Sequence, residues 1–240
     1  MIDYPPHSVA HTVKAFDDDI EQLRSLISRM GGLCEVQIAA AVDALVHRNI
    51  DAAARVVADD ARIDALESEA EELAIRIIAL RSPLAGDLRE IVAALKIAGV
   101  LERIGDYAKN IAKRVSAVTQ SSPIEPVVIV PEMARAVIAM LKDVLDAYVD
   151  RDVDLARSVY ERDRGVDDYY NSLFRSLLTF MMENPQFITP STHLLFIAKN
   201  LERIGDHATS VGEMVHFAVT GDYLVDRPKS DDTATFSSGH

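Results

Sequence analysis

The hexapeptide LERIGD occurs twice, as Leu101 to Asp106 and as Leu201 to Asp206. The match extends beyond it. IAGVLERIGDYA (Ile97 to Ala108) aligns with IAKNLERIGDHA (Ile197 to Ala208) at an offset of 100, and HRNIDAAARVV from His47 aligns with DRDVDLARSVY from Asp150 at an offset of 103. A long internal period means that one supersecondary unit is present in two copies, so the fold must be assembled from two like parts. Apolar residues recur at three- and four-residue intervals over 8–47, 52–81, 85–119, 131–149, 154–183 and 190–219, with no alternating run of strand length. Proline and glycine fall mostly between these segments, as in the Ser82-Pro83 turn and the Asn184-Pro185 to Pro190 turn. The expectation is an all-α protein of six helices in two tandem three-helix bundles, with short turns that make sequence neighbours antiparallel. The first bundle is placed at 8–120, a linker at 121–130, the second bundle at 131–220 and a polar tail, expected to be disordered, at 221–240. Within the linker, Val127 to Val130 lies between Pro126 and Pro131 and reads as an extended connection packed on a helix.

Charge and composition exclude several function classes. Asp and Glu number 38 against 25 Lys and Arg, a formal net charge of -13, which repels nucleic-acid and lipid phosphates. The single thiol, Cys34, rules out an internal disulfide framework and a cysteine-based zinc site. The first residues lack the basic start and apolar run of a signal peptide, and no stretch approaches the about 20 apolar residues of a membrane span, so a cytoplasmic location is expected. Gly-rich phosphate loops, Ser-His-Asp arrangements and H-E-x-x-H are all missing, and Gly105 and Gly205 stand where a di-iron Glu-x-x-His motif needs histidine. The chain is therefore not expected to be an enzyme.

A helical wheel divides the repeated motif. Ile97, Leu101, Ile104, Ala108, Ile111 and Val115 form one apolar stripe, and Ile197, Leu201, Ile204, Ala208, Val211 and Val215 form its counterpart. Glu102, Asp106 and Asn110 fall on the opposite arc, as do Glu202, Asp206 and Glu213, so the carboxylates are expected to point outward. Like charges four apart cost a few tenths of a kcal/mol, and a helix-interior glycine costs about 1 kcal/mol against alanine. An antiparallel hairpin turning near Pro83 sets Asp64 level with Glu102 and Asp60 level with Asp106; Asp163 and Asp167 fall within a turn of Glu202 and Asp206. Four carboxylates from two helices in each half make a hard oxygen set suited to Mg²⁺, Mn²⁺ or Ca²⁺, and carboxylates also hold iron or zinc. The bland alternative is a solvated helix face with ion pairs from Arg103 to Asp106 and from Arg203 to Asp206. His207, His193 and His216 read as surface histidines, and Phe174, Phe180, Phe196, Met181 and Met182 as core.

Together with MGGL (Met30 to Leu33), IIALRSPLAGDLR (Ile77 to Arg89) and LLTFMMENP (Leu177 to Pro185), the doubled LERIGD resembles the PhoU family of phosphate-uptake regulators over about 8–220. The resemblance implies a negative regulator of the phosphate-starvation response, a non-enzymatic adaptor between the ATPase of a phosphate ABC transporter and a sensor histidine kinase. It also implies a homodimer, peripheral to the inner membrane through its partners. Some members bind metal clusters through E(D)xxxD motifs, which map here onto Glu102 with Asp106 and Glu202 with Asp206; Asp60 with Asp64 and Asp163 with Asp167 have the same form. Expected ions are Mg, Mn, Fe or Zn. Lys113 against Glu213 and Asn110 against Ser210 mark where the halves diverge, with unequal metal occupancy as the implication. From a different class, a metal-dependent phosphate-handling enzyme or a metal-storage helical protein is the competing reading.

Overall fold

A computed structural model of the chain describes residues 7–222. The predicted tail therefore lies, beyond Asp222, outside the described residues. Among the described residues, seven α-helices run in order: α1 His7–Val46, α2 Ile50–Asp59, α3 Ala61–Arg81, α4 Ala85–Thr119, α5 Ile129–Asp150, α6 Val153–Glu183 and α7 Ile188–Thr220. The predicted helix over 52–81 is thus divided at Asp60. Its backbone there stays right-handed helical, with φ -56° and ψ -38°, but the Ile63 amide donates to the Asp60 carbonyl at 2.8 Å, a tightened three-residue turn. Val127 to Val130 is not extended: Glu125–Val128 forms a 3-10 turn that leads directly into α5. Pro126 occupies the start of that turn, where a missing amide proton costs nothing.

Helix α1, the α2–α3 pair and α4 form one bundle, and α5, α6 and α7 the other. The two duplicated turns are built alike. Arg48 (φ 55°) and Arg151 (φ 57°) both take the left-handed conformation, and the next residues, Asn49 and Asp152, cap the following helices by accepting from Ala52 and Leu155 amides at 2.9 Å. Each left-handed arginine then reaches across the fold to α4. Arg48 donates to the carbonyls of Thr119 (2.7 Å) and Ser121 near its C-terminal end, and Arg151 donates to Glu90 at 2.7 Å. Glu90 is buried, and Arg24 of α1 holds its other oxygen at 2.7 Å, so one carboxylate ties α1, α4 and the end of α5 together.

The bundles do not have separate cores. One apolar cluster runs from Leu23 and Ile27 through Ile97, Leu101 and Ile104 to Val137, Leu201 and Val215. Its most extensive junction is α4 against α7, the two LERIGD helices, with α1 against α5 alongside. In MGGL the two glycines have different surroundings. A Cβ at Gly31 would stand 2.1 Å from Leu145 Cδ1 of α5, whereas nothing lies within 4 Å of one at Gly32. Gly31 thus lets α1 and α5 touch.

Core assignments from helical spacing miss three residues. Phe174, Phe196 and Met182 are exposed, Met182 at 83%. Phe180, in contrast, packs on the core and against Phe187. Both glycine-to-alanine changes in α1 gain the same helix propensity, so the difference between them isolates the overpacking at Gly31. Gly31→Ala is expected to be less stable than Gly32→Ala by about 1–3 kcal/mol, read from urea denaturation midpoints.

Candidate functional site

Both acid pairs lie off the apolar stripe and beside a neighbouring helix, α3 in one half and α6 in the other; the Asp106 side chain is 46% exposed and that of Glu202 14%. Gly105 and Gly205 are buried on that side. A Cβ at Gly105 would meet Ile63 Cδ1 at 2.9 Å, Gln37 Oε1 at 3.4 Å and Asp60 Oδ1 at 3.5 Å; one at Gly205 would meet Asp163 Oδ1 at 3.0 Å. The missing side chains let Asp60 and Asp163 approach the signature helices.

In the first half, Asp60 is 3% exposed. Gln37 Nε2 donates to its Oδ1 at 3.1 Å, and Lys109 Nζ donates to its Oδ2 at 2.5 Å and to Asp106 Oδ1 at 3.1 Å. The ammonium therefore sits between the two aspartates, and their hydrogen bonds hold the Lys109 pKa above its ordinary value. Burial raises the pKa of Glu102, and Asp106, Glu67 and Asp64 raise it further by like charge. Glu67 Oε1 lies beside Gly99, 3.6 Å from where a Cβ would be. Asp60 with Asp106 and Asp64 with Glu102 are thus brought together at the levels that the antiparallel hairpin requires.

The second half carries the same acids with different neighbours. Glu202 is half-buried, Lys199 Nζ donates to its Oε1 at 2.6 Å, and its Oε2 is buried without a hydrogen-bond partner. Burial raises its pKa, and Asp206 and Asp167 act in the same direction against Lys199. Thr209 stands where the first half has Lys109, and its hydroxyl donates to the Asp206 carbonyl at 2.7 Å. Asn110 and Glu213 are half-buried further along α4 and α7. They lie one and two turns beyond Asp106 and Asp206 respectively. Among the described residues, no three His, Cys, Asp or Glu side chains converge closely enough to hold a metal ion. In the second half, Glu202 offers one buried carboxylate oxygen without a hydrogen-bond partner beside the Lys199 ammonium. In the first half, the Lys109 ammonium lies between the aspartates.

Between the grooves runs the α4–α7 seam. Tyr107 and His207 stack with ring centroids 5.4 Å apart, and the tyrosine hydroxyl lies 3.2 Å from His207 Nε2. Arg203 lies over the Tyr107 ring at 5.9 Å, and Arg114 lies over Phe196 at 4.4 Å with His193 Nδ1 3.3 Å away. These contacts pair the helices antiparallel. They also correct the expected surface role of His207 and His193, which are partly buried at the seam; His216 is partly buried as well. Lys109, Lys199, Gln37 and Glu67 were not legible as site residues, although aligning the LERIGD segments sets Lys109 against Thr209 and Gly99 against Lys199. A cleft of about 710 Å³ lies apart from the grooves and is lined by Phe16, Ile20, Arg24, Glu90 and Arg151.

Two three-helix units, fused through antiparallel acid-bearing third helices, define a tandem-repeat helical bundle whose distinctive chemistry is carboxylate. The PhoU domain family model matches residues 27–115 and 130–215. The chain is 54% identical over 224 residues to a phosphate-specific transport system accessory protein PhoU homolog of Zymomonas mobilis, covering 93% of this chain and 94% of that one. It is 47% identical over 233 residues to the Rhizobium meliloti homolog, covering 96% and 98%. The crystal structure of PhoU from Pseudomonas aeruginosa superposes with a TM-score of 0.82 at 38% identity, covering 86% of this chain and 100% of that one. This chain belongs to the PhoU family.

A carboxyl whose pKa is raised on folding contributes stability below its unfolded value and loses it as pH rises through the folded value. Ionised Glu102 therefore opposes folding at neutral pH, beside Asp106, Glu67 and Asp64. Glu102→Gln is expected to raise stability at pH 7 by about 0.2–0.5 kcal/mol, the cost of a like-charge pair four apart. The gain should vanish below the ordinary glutamate value of 4.5. Melting temperatures measured across pH check this.

Proposed function

We propose that this protein is an accessory and negative regulator of phosphate uptake. It acts as an adaptor joining the ATPase of a phosphate ABC transporter to a sensor histidine kinase, and holds the starvation response down when phosphate is plentiful. The observation that carries this reading is the core running without interruption through both repeats. Such a core makes one stiff body able to present separate faces to two partners. The relatives named phosphate-specific transport system accessory proteins support the phosphate context. No described helix is long and apolar enough to cross a membrane. We place the working protein in the cytoplasm as a homodimer.

Glu202 and Asp206, with Asp163 and Asp167 of α6, are the residues that would hold a divalent ion. When bound, the ion supplies positive charge to a groove that otherwise keeps like charges together. Burial and Lys199 orient Glu202, and Gly205 sets the spacing to Asp163. No step of phosphate chemistry is assigned to these groups.

Deleting the protein from its source organism is expected to leave phosphate-response genes switched on in phosphate-rich medium, read by transcript level; unchanged expression rejects the regulatory role. Purified protein is expected to show no turnover of phosphate esters with Mg²⁺ or Mn²⁺. Sustained turnover that disappears in Glu202→Ala would replace the adaptor by an enzyme.

A further inference from the structure

Helix α1 borders a trough along the stretch FDDDIEQLRS, Phe16 to Ser25. The cleft of about 710 Å³ is walled there by α1, the start of α4 and the α5–α6 turn. A second cleft of about 330 Å³ shares Phe16, Asp17 and Asp87 with it and extends it to the α3–α4 turn. Between Phe16 and Ser28, both on the wall, α1 rises about 18 Å, or about three helical turns. Apolar side chains contribute from several elements: Phe16 and Ile20 of α1, and the exposed Leu84 and Val149. The charge of the trough is one-sided. Arg24 and Arg151 line it, but both guanidiniums are held at 2.7 Å by the two oxygens of the buried Glu90, and Arg81 is held by Asp19 at 3.0 Å. Asp17, Glu21 and Asp87 form no ion pair among the described residues. The Glu90 cluster therefore leaves one net positive charge against three carboxylates.

We propose that this trough is the docking groove for a basic amphipathic helix of a partner protein, with its apolar face on Phe16, Ile20, Leu84 and Val149 and its Lys or Arg side chains toward Asp17, Glu21 and Asp87. The inference deepens the adaptor reading and rests on it for the existence of a partner. A helix laid in a groove is anchored by apolar residues at three- and four-residue spacing, and three turns supply enough of them to reach from the α3–α4 turn to Val149. The acids at the rim steer a cationic segment in and fix its register. Charge also selects against other occupants. A second copy of a chain with net charge -13 brings like charge, and so do the chain's own residues 223–240, which carry three aspartates against Arg227 and Lys229. Glu90 keeps the groove in shape without its occupant, since Arg24 and Arg151 tie α1, α4 and the end of α5 to one carboxylate. Docking then orders the incoming helix and not the walls, which lowers its cost.

The experiment measures binding to the full chain by fluorescence anisotropy of a labelled peptide of about 14 residues, leucine and lysine in amphipathic helical order, beside its leucine and glutamate counterpart. The lysine peptide is expected to bind saturably and the glutamate peptide not to bind. Asp17→Lys/Glu21→Lys is expected to weaken the lysine peptide about ten-fold or more, and Leu84→Ser about three-fold. Asp168→Lys/Glu183→Lys, the same change of charge on α6 outside the groove, is expected to alter it less than about two-fold. All five substituted side chains are exposed, and circular dichroism checks that each variant keeps its helices. Equal weakening by the two lysine double variants, or no binding of the lysine peptide, overturns the proposal. In the source organism, benzoylphenylalanine in place of the exposed Ser25 of the groove is expected to crosslink to a Lys- or Arg-rich amphipathic segment of another protein, identified by mass spectrometry. Crosslinks confined to acidic segments, to a second copy or to residues 223–240 overturn it. The adaptor reading fails separately, if deleting the protein leaves phosphate-response transcripts unchanged, and the peptide arm still decides the groove in that case.

Discussion

The absence of a Cβ at the fifth position of LERIGD is the constraint on which the functional surface depends. At Gly105 the neighbouring atoms are a side-chain methyl of Ile63 and the polar ends of Gln37 and Asp60; at Gly205 they are Asp163 Oδ1 and the methyl groups of Val166 and Val137. A Cβ at either position would meet the nearest of these side-chain ends at 2.9–3.0 Å, so Ile63 or Asp163 would have to shift. Helix-interior glycine is costly, at about 1 kcal/mol against alanine. The close approach offsets that cost with buried contact and, in the first half, with a hydrogen-bonded ion pair. Leu101 contributes from the other side of the same helix, packing in the core while its carbonyl accepts from the buried Cys34 thiol at 3.2 Å.

Around this approach the duplicated halves have diverged in a consistent direction. The first half is secured by polar groups: Gln37, Asp60, Lys109 and Asp106 link α1, the α2–α3 joint and α4. In the second, the neighbours of Gly205 are Asp163 Oδ1 and the methyl groups of Val166 and Val137, and the counter-charge comes from Lys199 on Glu202. A buried hydrogen-bonded network specifies one arrangement. The seam between the halves keeps both grooves on one body. Tyr107 stacks on His207 at equivalent positions of the two repeats, and the apolar stripes behind them merge into a single core.

Much of this organisation was legible in the residues. The all-α class, the doubled three-helix unit and the pairing of turns at His47 and Asp150 follow from periodicity and alignment, and the Asn49 and Asp152 caps explain why those turns repeat. The level of Asp60 with Asp106 follows from counting back from the Pro83 turn. Less legible was how deep each acid sits, because a wheel drawn for one helix separates core from non-core but cannot show that a second neighbour covers part of the remainder. Phe174 and Met182 illustrate the converse, with helical spacing that suits a core and side chains left exposed.

By itself, then, the sequence determined which elements form, how they repeat and which carboxylates come level, since helix period and turn position are local properties of the chain. Only the tertiary structure decided that Lys109 spans Asp60 and Asp106 while Thr209 turns to its own helix, and that His207 belongs to a seam rather than the surface. The reason is physical: whether a charged or aromatic side chain meets solvent, a counter-ion or a ring depends on groups a hundred residues away, which are brought near only when both bundles close around one core.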